Sequence, residues 1–302
     1  MKNRKVALIG VPSGAGARAL GHENAPERLR EAGLVQALES LGCEVMDMGD
    51  LAKVVFSPDP DNPRHQNIDK VVGVLREVAA AVDTAIQNDA WPLVIGGDCS
   101  IAIGVIAALI KHYPELGLAY VDGDVDLNVP ETTPSGIIDG MVMAHILGHG
   151  ADELSRFGAR YPLLDEEQVA LFGYSATAGK LDPFEVETLD NSRLLKFPLE
   201  DIVDDVTAAA TSALKELRQS STHFLVHFDV DVIDRDDFPA VDFGHHPGLS
   251  RTQAIEALSV FTADENALGL IVAEFNADKD TDGSCANELL GVIEAAVEAH
   301  VA

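Results

Sequence analysis

Cysteine is scarce in this chain, and long apolar runs are missing. The three cysteines, Cys43, Cys99 and Cys285, are too few and too scattered for a disulfide framework, which indicates a reducing compartment. No stretch approaches the roughly 18 consecutive apolar residues of a membrane span. The apolar run Val6–Gly10 near the N-terminus is also too short for a secretion signal. We therefore expect a cytoplasmic protein with no membrane partner.

Positively charged residues are also few. The chain has 21 Lys and Arg against 50 Asp and Glu, which gives a formal net charge of −29. This balance repels phosphate backbones and anionic membrane surfaces, so it argues against nucleic acid as a partner. The acidic excess can reflect solubility, a saline habitat or a cationic substrate. Because most of these charges must lie on the outer surface, we favour the first two.

What the chain does have is an alternation of short β-branched runs with longer helical patterns. This repetition predicts an α/β fold with a parallel sheet covered on both faces. No internal repeat or composition break marks a second domain, so residues 1–302 are expected to form one domain. The predicted strands are Val6–Gly10, Pro92–Ile95, Leu118–Val121, Val169–Phe172, Phe224–Phe228 and Leu268–Val272. The predicted helices are Ala25–Leu41, Lys70–Ala90, Val206–Arg218, Arg251–Phe261 and Asn287–Ala302.

Residues with metal-binding side chains follow four of the predicted strands. In open parallel sheets, ligands lie beyond the carboxyl ends of the strands. An Asp-X-Asp in an extended segment points both carboxylates to one side, so two such pairs can bridge two divalent cations that hold a water as nucleophile. A single pair is as readily a solvated turn or a cap, but four motifs at one sheet edge favour a metal site. These motifs are Gly97–Ser100, Asp122–Asp126, His227–Asp231 and Ala273–Asn276.

The motifs resemble those of the ureohydrolase superfamily, which comprises arginase, agmatinase, formimidoylglutamase and relatives. Gly96–Ser100 is similar to the family's Gly-Gly-Asp-His-Ser, Asp122–Asn128 to Asp-Ala-His-X-Asp-X-Asn, and His227–Asp231 to Ser-X-Asp-X-Asp. The likeness covers nearly the whole chain. It implies an arginase-like three-layer α/β/α sandwich with a central, mainly parallel sheet, and two divalent metal ions, preferably manganese. It further implies a homo-oligomer that hydrolyses a guanidino or amidino C–N bond.

The resemblance also implies a role for each site residue. One metal would be held by Cys99, Asp122, Asp126 and Asp229, and the other by Asp122, Asp124, Asp229 and Asp231. Glu274 would pair with the guanidinium of a small cationic substrate. The carboxylate at the other end of the substrate would be bound by Asn128, Thr133 and Ser135. Asp139 stands where the family has a proton-carrying histidine, so the catalytic residues would be Asp139, Glu274 and the ligand Asp126.

Two departures from the family affect the metal ligands. Cys99 and Asp124 stand where the family has histidine. The family's two neutral histidines and four aspartates carry a charge of about −4, whereas this set carries about −5 with a thiol or −6 with a thiolate. The surplus of negative charge should lower the Lewis acidity of the metals and raise the pKa of the bridging water. The hydrolytic activity near neutral pH should therefore fall. We expect Cys99 to be a ligand rather than a nucleophile, so that Cys99→His should raise metal affinity.

Other histidines and one loop allow alternative interpretations. His245 and His246 can replace Asp139 as proton carriers, but a surface pair is the more ordinary interpretation. His145 and His149, four apart, are expected to form a helix-face pair rather than a metal site. The loop 173–178 lacks the aspartate that arginase offers to an α-amino group, so the sequence does not assure arginine itself as substrate.

Two functions from different classes therefore remain. The first is a binuclear metallohydrolase of a guanidino acid such as arginine or N-hydroxy-arginine. The second is a non-catalytic paralogue with a degraded metal site that acts as a binding or assembly partner. We favour the enzyme, because all four ligand aspartates of the family and Glu274 are present and both substitutes, Cys99 and Asp124, can still coordinate a metal.

Overall fold

The computed structural model describes residues 4–176 and 181–302 and is built on one central sheet. Every pairing between its strands is parallel, and their spatial order is β2-β1-β3-β8-β7-β4-β5-β6. The predicted parallel sheet is thus confirmed. In chain order the strands are β1 (Lys5–Gly10), β2 (Glu44–Asp50), β3 (Trp91–Ile95), β4 (Leu116–Val121), β5 (Val169–Phe172), β6 (Leu195–Phe197), β7 (His223–Asp229) and β8 (Ala267–Ala273).

Helices cover both faces of the sheet. One face packs against α1 (Ala25–Glu31), α2 (Leu34–Ser40), α8 (Leu199–Ile202), α9 (Val206–Leu217), α10 (Arg251–Thr262) and α11 (Ser284–Val301). The other packs against α3 (Ile68–Gln87), α4 (Ile101–Leu109), α5 (Val142–Ile146), α6 (Asp152–Ser155) and α7 (Pro183–Asn191). The predicted three-layer α/β/α sandwich is therefore confirmed.

The strands other than β6 contribute to both apolar cores, because successive side chains point to opposite faces. In β1, Val6 and Leu8 belong to one core, whereas Ala7 and Ile9 belong to the other. A strand buried on both sides needs a continuous apolar run, and such runs made the central strands visible in the sequence.

The edges of the sheet and the helix after β1 differ from the sequence-based prediction. The predicted helix Ala25–Leu41 is two helices, because Gly33 adopts a left-handed conformation with φ of 99° between α1 and α2. The strands β2 and β6 lie at the two edges of the sheet, are only partly buried and lack a continuous apolar run. Helix α4 is buried all round, and an apolar run of that kind has no helical periodicity to detect.

Three further observations concern segments named above. His145 lies on α5 and is buried, but His149 lies beyond the end of that helix and is exposed, so the two do not form a helix-face pair. In the predicted loop 173–178, residues 177 and 178 lie outside the described residues. No helix within residues 4–176 and 181–302 is long and apolar enough to cross a membrane.

Candidate metal centre

The carboxyl ends of four adjacent strands, β3, β8, β7 and β4, deliver the predicted ligands to one place. Asp122 follows β4, Asp229 ends β7 and Glu274 follows β8, while Cys99 lies in the turn between β3 and α4. Asp122, Asp229 and Glu274 are at most 3% exposed, and Cys99 is also buried. Because the strands are parallel and neighbouring, the sheet itself concentrates these polar groups at a single edge.

The first group of candidate ligands consists of Cys99, Asp122, His227 and Asp229, whose ligand atoms all lie within 4.8 Å of one another. The Cys99 thiol donates a hydrogen bond to Asp229 Oδ2 at 2.9 Å, and His227 Nε2 lies 3.1 Å from the same sulfur. The predicted ligand Asp126 is not a member of this group. It adopts a left-handed backbone conformation with φ of 50°, and its Oδ2 accepts a hydrogen bond from the hydroxyl of Tyr120.

The second group consists of Asp124, Asp231 and His245. His245 Nε2 lies 3.3 Å from Asp124 Oδ2 and 3.7 Å from Asp231 Oδ2. The two groups are connected through the Asp-X-Asp segments. Asp122 Oδ1 accepts a hydrogen bond from the backbone N–H of Asp124, and Asp229 Oδ1 accepts one from that of Asp231, both at 2.7 Å. These bonds fix one oxygen of each first aspartate, while the other is unpartnered among the described residues in Asp122 and accepts the Cys99 thiol in Asp229.

The electrostatics of the cluster fit a bound cation. Burial, reinforced by repulsion from neighbouring carboxylates, raises the pKa of Asp122, Asp126 and Asp229 well above the ordinary value. Asp122 Oδ2 is buried and has no hydrogen-bond partner among the described residues. Buried charges are ordinarily paired or bound to metals, and a set of aspartates with histidine and cysteine is a donor set for divalent ions. The residues present therefore fit a divalent metal centre.

The two histidines in these groups differ in charge. Burial lowers the pKa of His227 to about 3, so its ring is neutral at neutral pH. Burial alone would also lower the pKa of His245, but hydrogen bonds to Asp124 and Asp231 raise it to about 11. Sequence reasoning gave His227 no role and considered His245 only as a proton carrier. The signal for His227 was its position two residues before Asp229, because alternate residues of a strand share a face.

A third cluster adjoins the first through Cys99. The backbone N–H of Cys99 donates to Asp139 Oδ1 at 2.9 Å, and Asp139, Glu274 and the Cys99 sulfur lie within 4.8 Å of one another. Burial raises the pKa of both Asp139 and Glu274 well above their ordinary values, with added repulsion from Glu274 on Asp139 and from Asp98 on Glu274. Glu274 also faces buried His22, with 3.0 Å between Oε2 and Nε2. Its other oxygen, Oε1, has no hydrogen-bond partner among the described residues.

A cavity of about 300 Å³ opens over the aspartates. Its described lining includes five predicted ligands (Asp122, Asp124, Asp126, Asp229, Asp231), the predicted carboxylate-binding residues Asn128, Thr133 and Ser135, and Asp139. Cys99 and Glu274 are not among the described residues that line it, but Asp139, whose carboxylate lies within 4.8 Å of the ligand atoms of both, does line it.

Two lining carboxylates were missed by sequence reasoning. Asp182 caps the N-terminus of α7, and Glu185 lies one turn further along. Asn128 Nδ2 donates a hydrogen bond to Asp182 Oδ2 at 2.8 Å. Burial and repulsion from Asp182 raise the pKa of Glu185 to about 7. The Asp-Pro-X-Glu pattern signalled a helix start, but nothing in it signalled that the helix start faces the site.

The neighbouring histidine of the 245–246 pair does not belong to the centre. His246 is exposed, and its Nδ1 lies 3.0 Å from Asp234 Oδ2. The surface-pair interpretation therefore describes His246 but not His245, which is largely buried against Asp124 and Asp231.

Several known proteins that this chain resembles in sequence and fold are arginases. The arginase of Staphylococcus aureus strain MSSA476 is 29% identical over 299 residues, which are 97% of this chain and 96% of that protein. The arginase of Bacillus caldovelox is 32% identical over 241 residues, or 79% of each chain. The crystal structure of arginase from Bacillus cereus matches with a TM-score of 0.86 at 30% identity, covering 97% of this chain and 98% of that one.

These similarities define a hydrolase of the ureohydrolase superfamily, the class that acts on guanidino and amidino substrates. The model of the arginase family matches residues 4–296, and the chain belongs to that family. The family is metal-dependent, and the two groups described above contain the candidate ligands of this member.

Proposed function

We propose that the protein hydrolyses the guanidino C–N bond of a guanidino acid, arginine or N-hydroxy-arginine, with two divalent metal ions. The observation that carries this proposal is a shared cavity. Aspartates from two Asp-X-Asp segments and the groups suited to an amino acid's polar ends line the same cavity. The cavity volume of about 300 Å³ is at the lower end of the range for small-molecule sites.

The metals would be held by Cys99 and the aspartates 122, 124, 126, 229 and 231. When bound, two divalent ions activate a water for attack and polarise the carbon of the substrate. The majority of oxygen ligands favours manganese, although a cysteine in the set shifts preference toward softer ions. The high pKa of the Cys99 thiol, raised by burial and by Asp229 and Asp139, argues against a nucleophilic thiolate in the metal-free protein.

The guanidinium of the substrate would be oriented by Glu274. Glu274 has one oxygen against His22 and one buried oxygen without a partner, and a planar guanidinium can donate to such an oxygen. Asp139 lies on the cavity wall beside it. We assign to Asp139 the proton that the leaving amine must receive, because its protonated form is favoured by burial and by Glu274.

Other residues of the cavity lining support an α-amino acid as substrate. Asn128, Thr133 and Ser135 offer hydrogen-bond donors to a carboxylate, as the family resemblance implied. Asp182 and Glu185 offer negative charge to an ammonium group a short distance away. Asp182 and Glu185 thus replace the aspartate for the α-amino group that the loop 173–178 lacks. They favour a substrate that carries both an α-carboxylate and an α-amino group.

Three broader statements also stay proposals. We propose that residues 1–302 form one domain, which the single sheet supports, that the protein is cytoplasmic, and that it assembles as a homo-oligomer like its relatives in the superfamily. None of these affects the chemistry assigned to the site.

A substrate panel tests the proposed reaction. The protein is supplied with manganese and offered arginine, N-hydroxy-arginine, agmatine and a formimino amino acid, and urea or ammonia release is measured. We expect the wild-type protein to release urea or ammonia from the two guanidino acids, and the Asp229→Ala variant to release none. Release from agmatine alone would overturn the carboxylate assignment. A protein that holds two metals but attacks no member of the panel would instead be the non-catalytic paralogue.

A further inference from the structure

We infer that His227 and His245 are metal ligands that replace, from elsewhere in the chain, the two histidines missing from the family motifs. This inference rests on the proposed two-metal function and adds to it the identity of two ligands. In this assignment one site is formed by Cys99, Asp122, His227 and Asp229. The other is formed by Asp124, Asp231 and His245 and shares Asp122 and Asp229.

The first replacement is an exchange between two sides of the site. The family motif has histidine at position 99 and serine at position 227, whereas this chain has cysteine and histidine. His227 Nε2 lies 3.1 Å from Cys99 Sγ, so the imidazole nitrogen reaches the same place from β7 instead of from the turn after β3. His227 is fully buried and stacks on Tyr120 with ring centroids 4.5 Å apart. The stacked ring has a fixed orientation, which suits a ligand.

The second replacement involves three positions. Asp124 stands where the family has histidine, and Gly123 stands where it has alanine. A β-carbon at position 123 would lie 2.3 Å from His245 Cδ2, so the alanine of the family motif and this position of His245 are incompatible. The glycine opens the space that His245 occupies beside Asp124 and Asp231. The substitutions at 123 and 124 and the histidine at 245 thus form one consistent change.

The alternative use of the first pair is a catalytic Cys-His dyad, and the geometry disfavours it. The Cys99 thiol donates to Asp229 rather than to His227, so the imidazole is not placed to take the thiol proton as a general base. As metal ligands, both histidines would supply nitrogen donors to a set that otherwise holds only carboxylates and one cysteine, His245 by giving up its proton to solvent when the metal binds.

The test is metal binding by variants of the whole protein, measured with Co²⁺ by calorimetry. Proton NMR of the Co²⁺-loaded protein adds a direct readout, because each coordinated histidine gives one strongly shifted, exchangeable N–H resonance. His227→Phe keeps the ring that stacks on Tyr120 and removes the nitrogen. Its control is His300→Phe, because His300 is also buried and also stacks on an aromatic ring, that of Trp91, with ring centroids 4.3 Å apart. Trp91 is the first residue of β3, whereas Cys99 follows the other end of that strand, so this control lies away from the site. The control for His245→Ala is His246→Ala, the exposed neighbour.

We expect two such resonances in the wild type and one in each of His227→Phe and His245→Ala. Loss of an outer partner of a ligand typically weakens metal binding about 10- to 100-fold, so the loss of a ligand should weaken one site at least about tenfold. The two controls should match the wild type. Variants that keep both resonances and both affinities, while Asp229→Ala loses both metals, would overturn this inference and leave the proposed function standing. A wild-type protein that binds no Co²⁺ would overturn both.

Discussion

The imidazole of His245 occupies the space that a side chain at position 123 would need, with Cδ2 only 2.3 Å from the position of a β-carbon on Gly123. This contact joins the segment after β4 to a loop more than a hundred residues later. It places His245 between Asp124 and Asp231, where a second divalent ion would bind.

Gly123→Ala should therefore displace His245 and weaken one metal site while sparing the other. By analogy with the loss of a supporting group, we expect affinity at that site to fall about 10- to 100-fold. Calorimetric titration with Mn²⁺ measures this. The matched control is Gly140→Ala, which lies on the same cavity wall but whose added β-carbon would meet no atom within 4 Å. Equal losses in both variants would show that the effect is not specific to His245.

Cys99→His alone should weaken metal binding, contrary to what the sequence suggested. The new imidazole would compete for the space of His227, whose Nε2 lies 3.1 Å from the present sulfur. Overpacking a buried position of this kind costs about 1–3 kcal/mol. The double variant Cys99→His with His227→Ser restores the family arrangement and should recover both stability and affinity. Thermal unfolding and Mn²⁺ titration of the three proteins decide the question, and tight binding by the single variant would contradict us.

Asp229→Ala should abolish binding of both metals, because Asp229 contacts a member of each ligand group. Its Oδ2 accepts a hydrogen bond from Cys99 of the first group, and its Oδ1 accepts one from the backbone N–H of Asp231 of the second. Asp124→Ala should remove only one metal, since Asp124 belongs to the second group alone. Metal content after gel filtration gives the comparison. Retention of one full equivalent by Asp229→Ala would show that the aspartate is not shared.

The metal-free protein should lose stability as the pH rises above about 7, because His245, with a pKa raised to about 11, keeps in the folded state a proton that an ordinary histidine releases. Burial and repulsion raise the pKa of Asp122, Asp126 and Asp229, so the folded state holds protons that the unfolded state has already released. When the folded state binds more protons, the free energy of unfolding falls with rising pH. Above pH 7 the buried His227 is neutral in both states and adds no opposing slope. Melting temperatures with and without Mn²⁺ test this, and we expect the stabilisation by Mn²⁺ to grow with pH. A flat profile without metal would count against repulsion in the cluster.

Asp182→Asn and Glu185→Gln should raise KM for arginine more than they lower kcat, because both residues line the cavity and are proposed to bind the ammonium group of the substrate rather than the reacting guanidino carbon. The effect should shrink for a guanidino acid that lacks an α-amino group. Asparagine can still cap α7, so the fold should persist. Glu187→Gln, exposed on the same helix, is the control. An unchanged KM for arginine would remove the ammonium assignment.

The sequence predicted the centre of the sheet and most of the site because local rules apply there. Continuous apolar runs marked β3, β4, β7 and β8, and the Asp-X-Asp spacing placed carboxylates on one side of each strand end. The edge strands β2 and β6 were missed because they are half-buried and carry no such run.

The missed site residues share a different cause. His245 and Asp182 reach the site only through tertiary packing, from a loop and a helix start that carry no local sign of it. His227 was detectable in principle, since it shares a strand face with Asp229, but its meaning depends on Cys99, which is 128 positions away. A residue from a distant segment can compensate for a substitution in one motif. Because a motif comparison examines each segment alone, it does not detect such compensation.

Crystals soaked in MnCl₂ and measured at the manganese absorption edge test the central claim most directly. Position matters here, because a chain with a net charge of −29 can also bind cations on its surface. We expect two anomalous peaks among Cys99, the five aspartates, His227 and His245, with Asp122 and Asp229 bonded to both. Peaks confined to the outer surface, with none in this cluster, would contradict the account.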